Sequence, residues 1–183
     1  MDNFRPLDYY YLIKVVKKPI ASVILFSLVS VLLLPQFASA YYNYPSADVV
    51  IGQPDFTSSA LIQGGDAAGN TFRNPAQTAV INGKLFIADS QNNRVLVWNA
   101  VPVTNNSTAD FVIGQQNLTS VNENEGPAPG VPGAATARTL DRSSAVASDG
   151  TKLIILDRDN HRVLIYNTIP TASYPAADVV IGH

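Results

Sequence analysis

The sequence predicts an all-β fold built from repeated four-stranded antiparallel units. Three observations predict it. Residues 84–103 (KLFIADSQNNRVLVWNAVPV) align without a gap onto residues 152–171 (KLIILDRDNHRVLIYNTIPT), at an offset of 68. A second element occurs three times: SADVVIGQPDFTSS at 46–59, TADFVIGQQNLTS at 108–120 and AADVVIGH at 176–183. The order of the two elements is kept, which marks duplication rather than chance. After residue 40, helical periodicity is missing, and the apolar runs are short and rich in β-branched and aromatic residues.

The first forty residues stand apart. Arg5, Lys14, Lys17 and Lys18 precede the uncharged run IASVILFSLVSVLLL at 20–34, and Pro35 follows it. A basic flank, an apolar helix and a small-x-small site describe a secretory signal peptide. The basic flank stays on the cytoplasmic side while the apolar run enters the bilayer. Ala38 and Ala40 fit the narrow pockets of a peptidase, so cleavage is expected after Ala40. The fifteen-residue run falls short of the roughly 20 that span a bilayer. An uncleaved signal anchor is the alternative, and membrane contact is then expected only through residues 20–34. Both readings make 1–40 a hydrophobic signal helix and place 41–183 outside the cytoplasm, secreted or extracytoplasmic, in the periplasm or at the cell surface.

The strands of the remainder follow in order. Ala47–Gly52 reads as an outer strand without inner partners. Gln77–Ile81 ends at Asn82-Gly83, a dipeptide suited to the positive φ of a hairpin. Lys84–Asp89 follows, then the turn Ser90-Gln91-Asn92-Asn93, then Arg94–Asn99 and Ala109–Gly114. The second unit repeats this at about 144–148, 152–157, 162–167 and 177–181. Four short antiparallel strands per unit, at about 77–114 and 144–181, describe propeller blades. Residues 58–75 and 119–142, rich in Gly, Ala, Pro and Asn, are expected to be surface excursions inserted between the units.

DSQNNRVLVW and DRDNHRVLIY share the pattern Asp-x-x-Asn-x-Arg-Val-Leu-x-aromatic, which resembles the core of NHL repeats. The VIGQPDFTS element resembles a segment of bacterial exported NHL-repeat proteins. The resemblance covers residues 44–183 and implies a β-propeller, most often of six blades. Propellers close four to eight blades into a ring. Two blades and one extra strand leave that ring incomplete, so the chain reads as a fragment; a complete chain of this kind would have to oligomerise.

Composition excludes several function classes. The whole chain has 12 basic and 14 acidic side chains and no Cys. Residues 41–183 hold eight of the former and twelve of the latter. A net charge of −4 disfavours nucleic acid, which needs clustered Lys and Arg. The lack of Cys removes disulfides, thiolate zinc sites and cysteine nucleophiles.

The repeat motif itself is expected to be structural. Asp89 and Asp157 end a strand, where a carboxylate accepts backbone N–H groups in an Asx-turn. Asn92 and Asn160 follow in the turn. Arg94 and Arg162 begin the next strand, within reach of the Asp. Trp98 and Tyr166 occupy one repeat position and are expected to pack between units. Asp157-x-Asp159-x-His161 alternates donors but lacks the glycine and terminal Glu of an EF-hand loop. No metal, cofactor or catalytic residue is therefore assigned. The sequence favours an exported module binding an unknown protein or small ligand through its loops. A metal-dependent lyase or hydrolase with its site in further blades, and a membrane-anchored sensor, are the alternatives.

Overall fold

Two sheets with the same strand order account for the repeated sequence. A computed structural model describes residues 45–182. The signal segment, its cleavage residues Ala38 and Ala40, and His183 lie outside the described residues. The first sheet is β1 (Pro75–Ile81), β2 (Lys84–Asp89), β3 (Arg94–Trp98) and β4 (Phe111–Ile113). The second is β5 (Ser143–Ser148), β6 (Leu153–Asp157), β7 (Arg162–Tyr166) and β8 (Val179–Ile181). Each is an antiparallel meander of four neighbours in sequence order. Even the irregularity in register recurs, between Pro75 and Thr78 in one sheet and Ser143 and Ala145 in the other. Among the described residues, helix is confined to short 3-10 turns.

Local chemistry explains the turns. Asn82 and Gly83 both have positive φ (50° and 79°), as the two-residue β1–β2 hairpin requires. The β2–β3 turn ends in the left-handed Asn93, and its counterpart His161 does the same. Asp149 caps the longer β5–β6 turn by accepting N–H bonds from Thr151 and Lys152.

Side-chain alternation gives each sheet two faces. On the front of the first lie Phe86, Ala88, Val95, Val97, Phe111 and Ile113. They pack against the back of the second: Val146, Leu153, Ile155, Leu164 and Tyr166. Polar ties fix this stacking. The Val146 N–H donates to Gln77 Oε1 (2.9 Å), and Ser143 Oγ donates to the Arg94 carbonyl (2.9 Å). The back of the first sheet, with Leu85, Ile87, Leu96 and Trp98, carries Ile51, Phe72 and Leu118.

Residues 47–52 depart from the expected outer strand. They run without joining either sheet. Instead the Val50 N–H donates to Asn105 Oδ1 (3.0 Å), and the Val50 carbonyl accepts from the Asn106 N–H (2.9 Å). Val112 repeats this on the next connection, through Ser173 Oγ (3.2 Å) and the Tyr174 N–H (3.0 Å). The β3–β4 connection of each unit thus stitches the Val-Ile-Gly segment before it. A hydrogen-bonded tie to a loop replaces the strand ladder.

Candidate functional site: the loop end of the sheets

The repeated Asp and Arg build a clamp, not an Asx-turn. Asp89 and Arg94 face each other across the β2–β3 hairpin, with Nε 2.8 Å from Oδ2 and both side chains fully buried. Asp89 Oδ1 accepts the backbone N–H of Arg73, sixteen residues earlier, at 2.7 Å, and Oδ2 also accepts from Asn92 Nδ2 at 2.8 Å. Arg94 Nη2 donates to the carbonyls of Ala68 (2.9 Å) and Thr71 (3.0 Å), while Nη1 donates to that of Leu118. The second unit repeats the clamp. Arg162 Nε lies 2.7 Å from Asp157 Oδ2, and Nη2 donates to the carbonyls of Thr136 (2.8 Å) and Thr139 (3.0 Å). Asp157 accepts from the Asp141 N–H and from Asn160, both at 2.8 Å.

Burial pushes the Asp89 carboxyl up from its usual range, against the pull of Arg94. The Arg94 guanidinium is pushed down by the same burial, against the pull of Asp89. These groups are saturated with internal partners, so they organise backbone and leave nothing free for a substrate.

The long loops lie largely on the surface and outside both sheets, as expected, but they are tied down. They are repeated structure that the clamps staple to the β2–β3 turns. Asp55 Oδ1 accepts N–H bonds from Thr57 and Ser58, and Asn117 Oδ1 accepts them from Thr119 and Ser120. Thr71 and Thr139 hydroxyls accept the N–H groups of Ala68 and Thr136. The effect is to collect both loops and both turns at one end of the sheets.

The aromatic pair sits in the packing. Trp98 meets Phe72 edge-on at 6.2 Å on the back of the first sheet, and its Nε1 donates to the Ser107 carbonyl. Tyr166 is buried between the sheets, where its hydroxyl has no partner and burial raises its pKa. Asp157, Asp159 and His161 do not converge. Asp157 is held by Arg162, Asp159 pairs with Arg142 and Arg158, and His161 is exposed on a left-handed turn. Among the described residues, no group of three or more His, Cys, Asp or Glu side chains could hold a metal.

The loop end also holds a cavity of about 280 Å³ between the β4 end and the following loop, with Gln115 at its floor and Gln116, Ser120, Asn122 and Glu125 around it. Gln115 is 0% exposed, and its Nε2 donates to the carbonyls of Asn93 (3.1 Å) and Asn122 (2.9 Å). Its Oε1 has no partner. Gln53 occupies the same place in the VIGQ element before the first sheet. Its Nε2 donates to the Ala60 carbonyl (2.9 Å), and its Oε1 is likewise unpartnered. A buried acceptor left unpaired costs about 1–3 kcal/mol. Twice in the chain this cost stands at the same position.

The motif reading missed Gln53, Gln115 and the two threonines. The signal existed: VIGQ occurs twice, and Thr71 and Thr139 lie 68 residues apart.

No family model matches the chain, and no curated protein matches it. Among the described residues, no helix is long and apolar enough to cross a membrane.

Proposed function

We propose that this chain is an exported NHL-like propeller segment that acts as a binding or scaffold module through the loop end of its sheets. The observation that carries the reading is the cavity at Gln115, backed by loops that buried Asp–Arg clamps hold in place. Binding surfaces gain from loops positioned on a rigid scaffold. Clamped loops lose less freedom when a ligand arrives.

Two sheets packed front to back support the blade reading, because a propeller repeats that contact around its axis. Export rests on the basic flank, the apolar run and the Ala38-Ser39-Ala40 site. The lyase and sensor alternatives stay secondary: the first needs ligands converging from several blades, the second needs residues 20–34 in the mature product.

A fragment screen on the isotope-labelled chain, read by amide chemical shifts, tests the reading. The probes are small amines, carboxylates, amides and sugars. Hits should cluster on residues 53–73 and 115–142. Hits confined to the opposite end, around Asn82 and Asp149, overturn it. Mass spectrometry of the exported product should find Tyr41 at its N-terminus.

A further inference from the structure

We infer that the cavity beside Gln115 is a site for a primary ammonium group, the head of an alkylamine. The inference rests on reading the loop end as a recognition surface, and it needs no assumption about a propeller ring.

The chemistry of the wall carries it. Gln115 Oε1 is a fixed acceptor: turning the amide over would set that oxygen against the carbonyls of Asn93 and Asn122. Three of the side-chain donors around it turn inward. Gln116 Nε2 donates to Glu125 Oε2 (2.8 Å), Asn122 Nδ2 to the Gly126 carbonyl (2.8 Å), and Thr119 Oγ1 to Asn117 Oδ1 (2.7 Å). The backbone N–H of Gln116 also donates to Glu125, which holds that carboxylate in place. What the cavity offers is a carboxylate and the neutral oxygens of Asn122 and Ser120, with the unpaired Gln115 amide oxygen buried behind them.

Charge and size narrow the ligand. Glu125 is the one ionisable residue in the lining, so the cavity matches a single positive charge. Calcium takes six to eight oxygens, commonly including several carboxylates, and one carboxylate here falls short. Quaternary ammonium is held by aromatic cages, and no aromatic side chain lines this cavity. A primary ammonium carries three N–H donors. They pair with the Glu125 carboxylate and the neutral oxygens of Asn122 and Ser120, in front of the buried Gln115 amide. The volume of about 280 Å³ sits just below the usual range for drug-sized ligands, roughly 300–1,000 Å³, and suits a small head group.

The test is a titration of the labelled full chain with ethylammonium chloride at constant ionic strength, read at the Gln115 side-chain amide and the Gly126 backbone amide. Saturable shifts are expected, with a dissociation constant on the order of millimolar for a ligand of so few atoms. Glu125→Gln should weaken binding about tenfold or more by removing a charge-assisted bond. Tetramethylammonium, with equal charge and no N–H, should leave both signals unmoved in the unaltered chain.

Three results overturn the assignment: no saturable shift with ethylammonium, equal shifts with tetramethylammonium, or tighter binding of calcium chloride at the same residues. If carboxylates, amides or sugars shift these residues and ethylammonium does not, the ammonium assignment falls while the recognition surface stands. If no probe moves residues 115–126, both fall.

Discussion

At the scale of single residues, the clamps are sensitive because loss of one partner leaves the other charge buried and unpaired. Arg94 donates to two more loop carbonyls beyond its ion pair on Nη2 and a third on Nη1; Arg162 repeats only the first set. Removing one partner of a buried, hydrogen-bonded pair costs about 3–5 kcal/mol. Arg94→Met should therefore reach the upper part of that range in urea denaturation, and Arg162→Met the lower part. Equal losses would mean that the Leu118 contact adds nothing. A second residue-scale prediction concerns pH. Hydrogen bonds from Thr57 and Ser58 hold the exposed Asp55 carboxyl down at about 2, from an ordinary 3.8. A carboxyl with a depressed folded pKa stabilises fully above its unfolded value, and the benefit is lost as pH falls through the folded one. Asp55→Ala should thus lower the melting temperature at pH 6, with the gap closing between about pH 4 and pH 2. Asn117 makes the same bonds without a titratable group. Asn117→Ala should show a gap that does not close over that range.

Elements were legible in the sequence where local chemistry decides them. The hairpin at Asn82-Gly83, the alternation in Lys84–Asp89 and Arg94–Trp98, and the repeat at offset 68 all reappear as strands. Strand ends were legible to within a few residues: the expected Ala109–Gly114 is Phe111–Ile113. The loops were not legible, and the reason is a change of register. Asp55 corresponds to Asn117, 62 residues on, whereas Thr71 corresponds to Thr139, 68 residues on. Six extra residues in the Gly- and Pro-rich stretch after Glu125 hide the repeat from an ungapped alignment. The residue types differ as well: what recurs is an acceptor oxygen or a backbone carbonyl, not a side-chain identity. The Asp–Arg contact was visible across the hairpin, but its loop partners, sixteen to twenty-six residues away, were not. Gly114 shows how tightly loop and strand meet. It has φ +94°, and an added Cβ would lie 2.5 Å from Leu140 Cδ1. Gly83 has φ +79° with open space around it. Gly83→Ala should cost about 1–2 kcal/mol for backbone strain alone. Gly114→Ala should add roughly 1–3 kcal/mol of overpacking. A thermal-unfolding pair separates the two, and equal costs would show that Leu140 can yield.

The asymmetry between the sheets belongs to the whole molecule. The two carry equivalent faces, yet only the first has its front covered. Ala88 and Ile113 are fully buried there by the second sheet. Their counterparts Leu156 and Ile181 are 41% and 54% exposed. Among the described residues, nothing covers the front of the second sheet. Its apolar residues continue the pattern that, one unit earlier, receives the back of another sheet. In a stack of repeats each unit buries a face that it cannot bury alone. The open front is thus where the proposed propeller reading expects a further sheet, with a back like that of β5–β8. Substitution reads this asymmetry directly. Leu156→Lys should change the stability of the chain by less than about 1 kcal/mol, as an exposed substitution. Ala88→Lys, at the equivalent position, places a charge inside the contact between the sheets and should unfold it. Dye binding to exposed apolar surface should fall in Leu156→Lys relative to the unaltered chain. If Leu156→Lys destabilises as severely as Ala88→Lys, the front of the second sheet is covered in solution. The two sheets would then be equivalent in environment as well as in sequence.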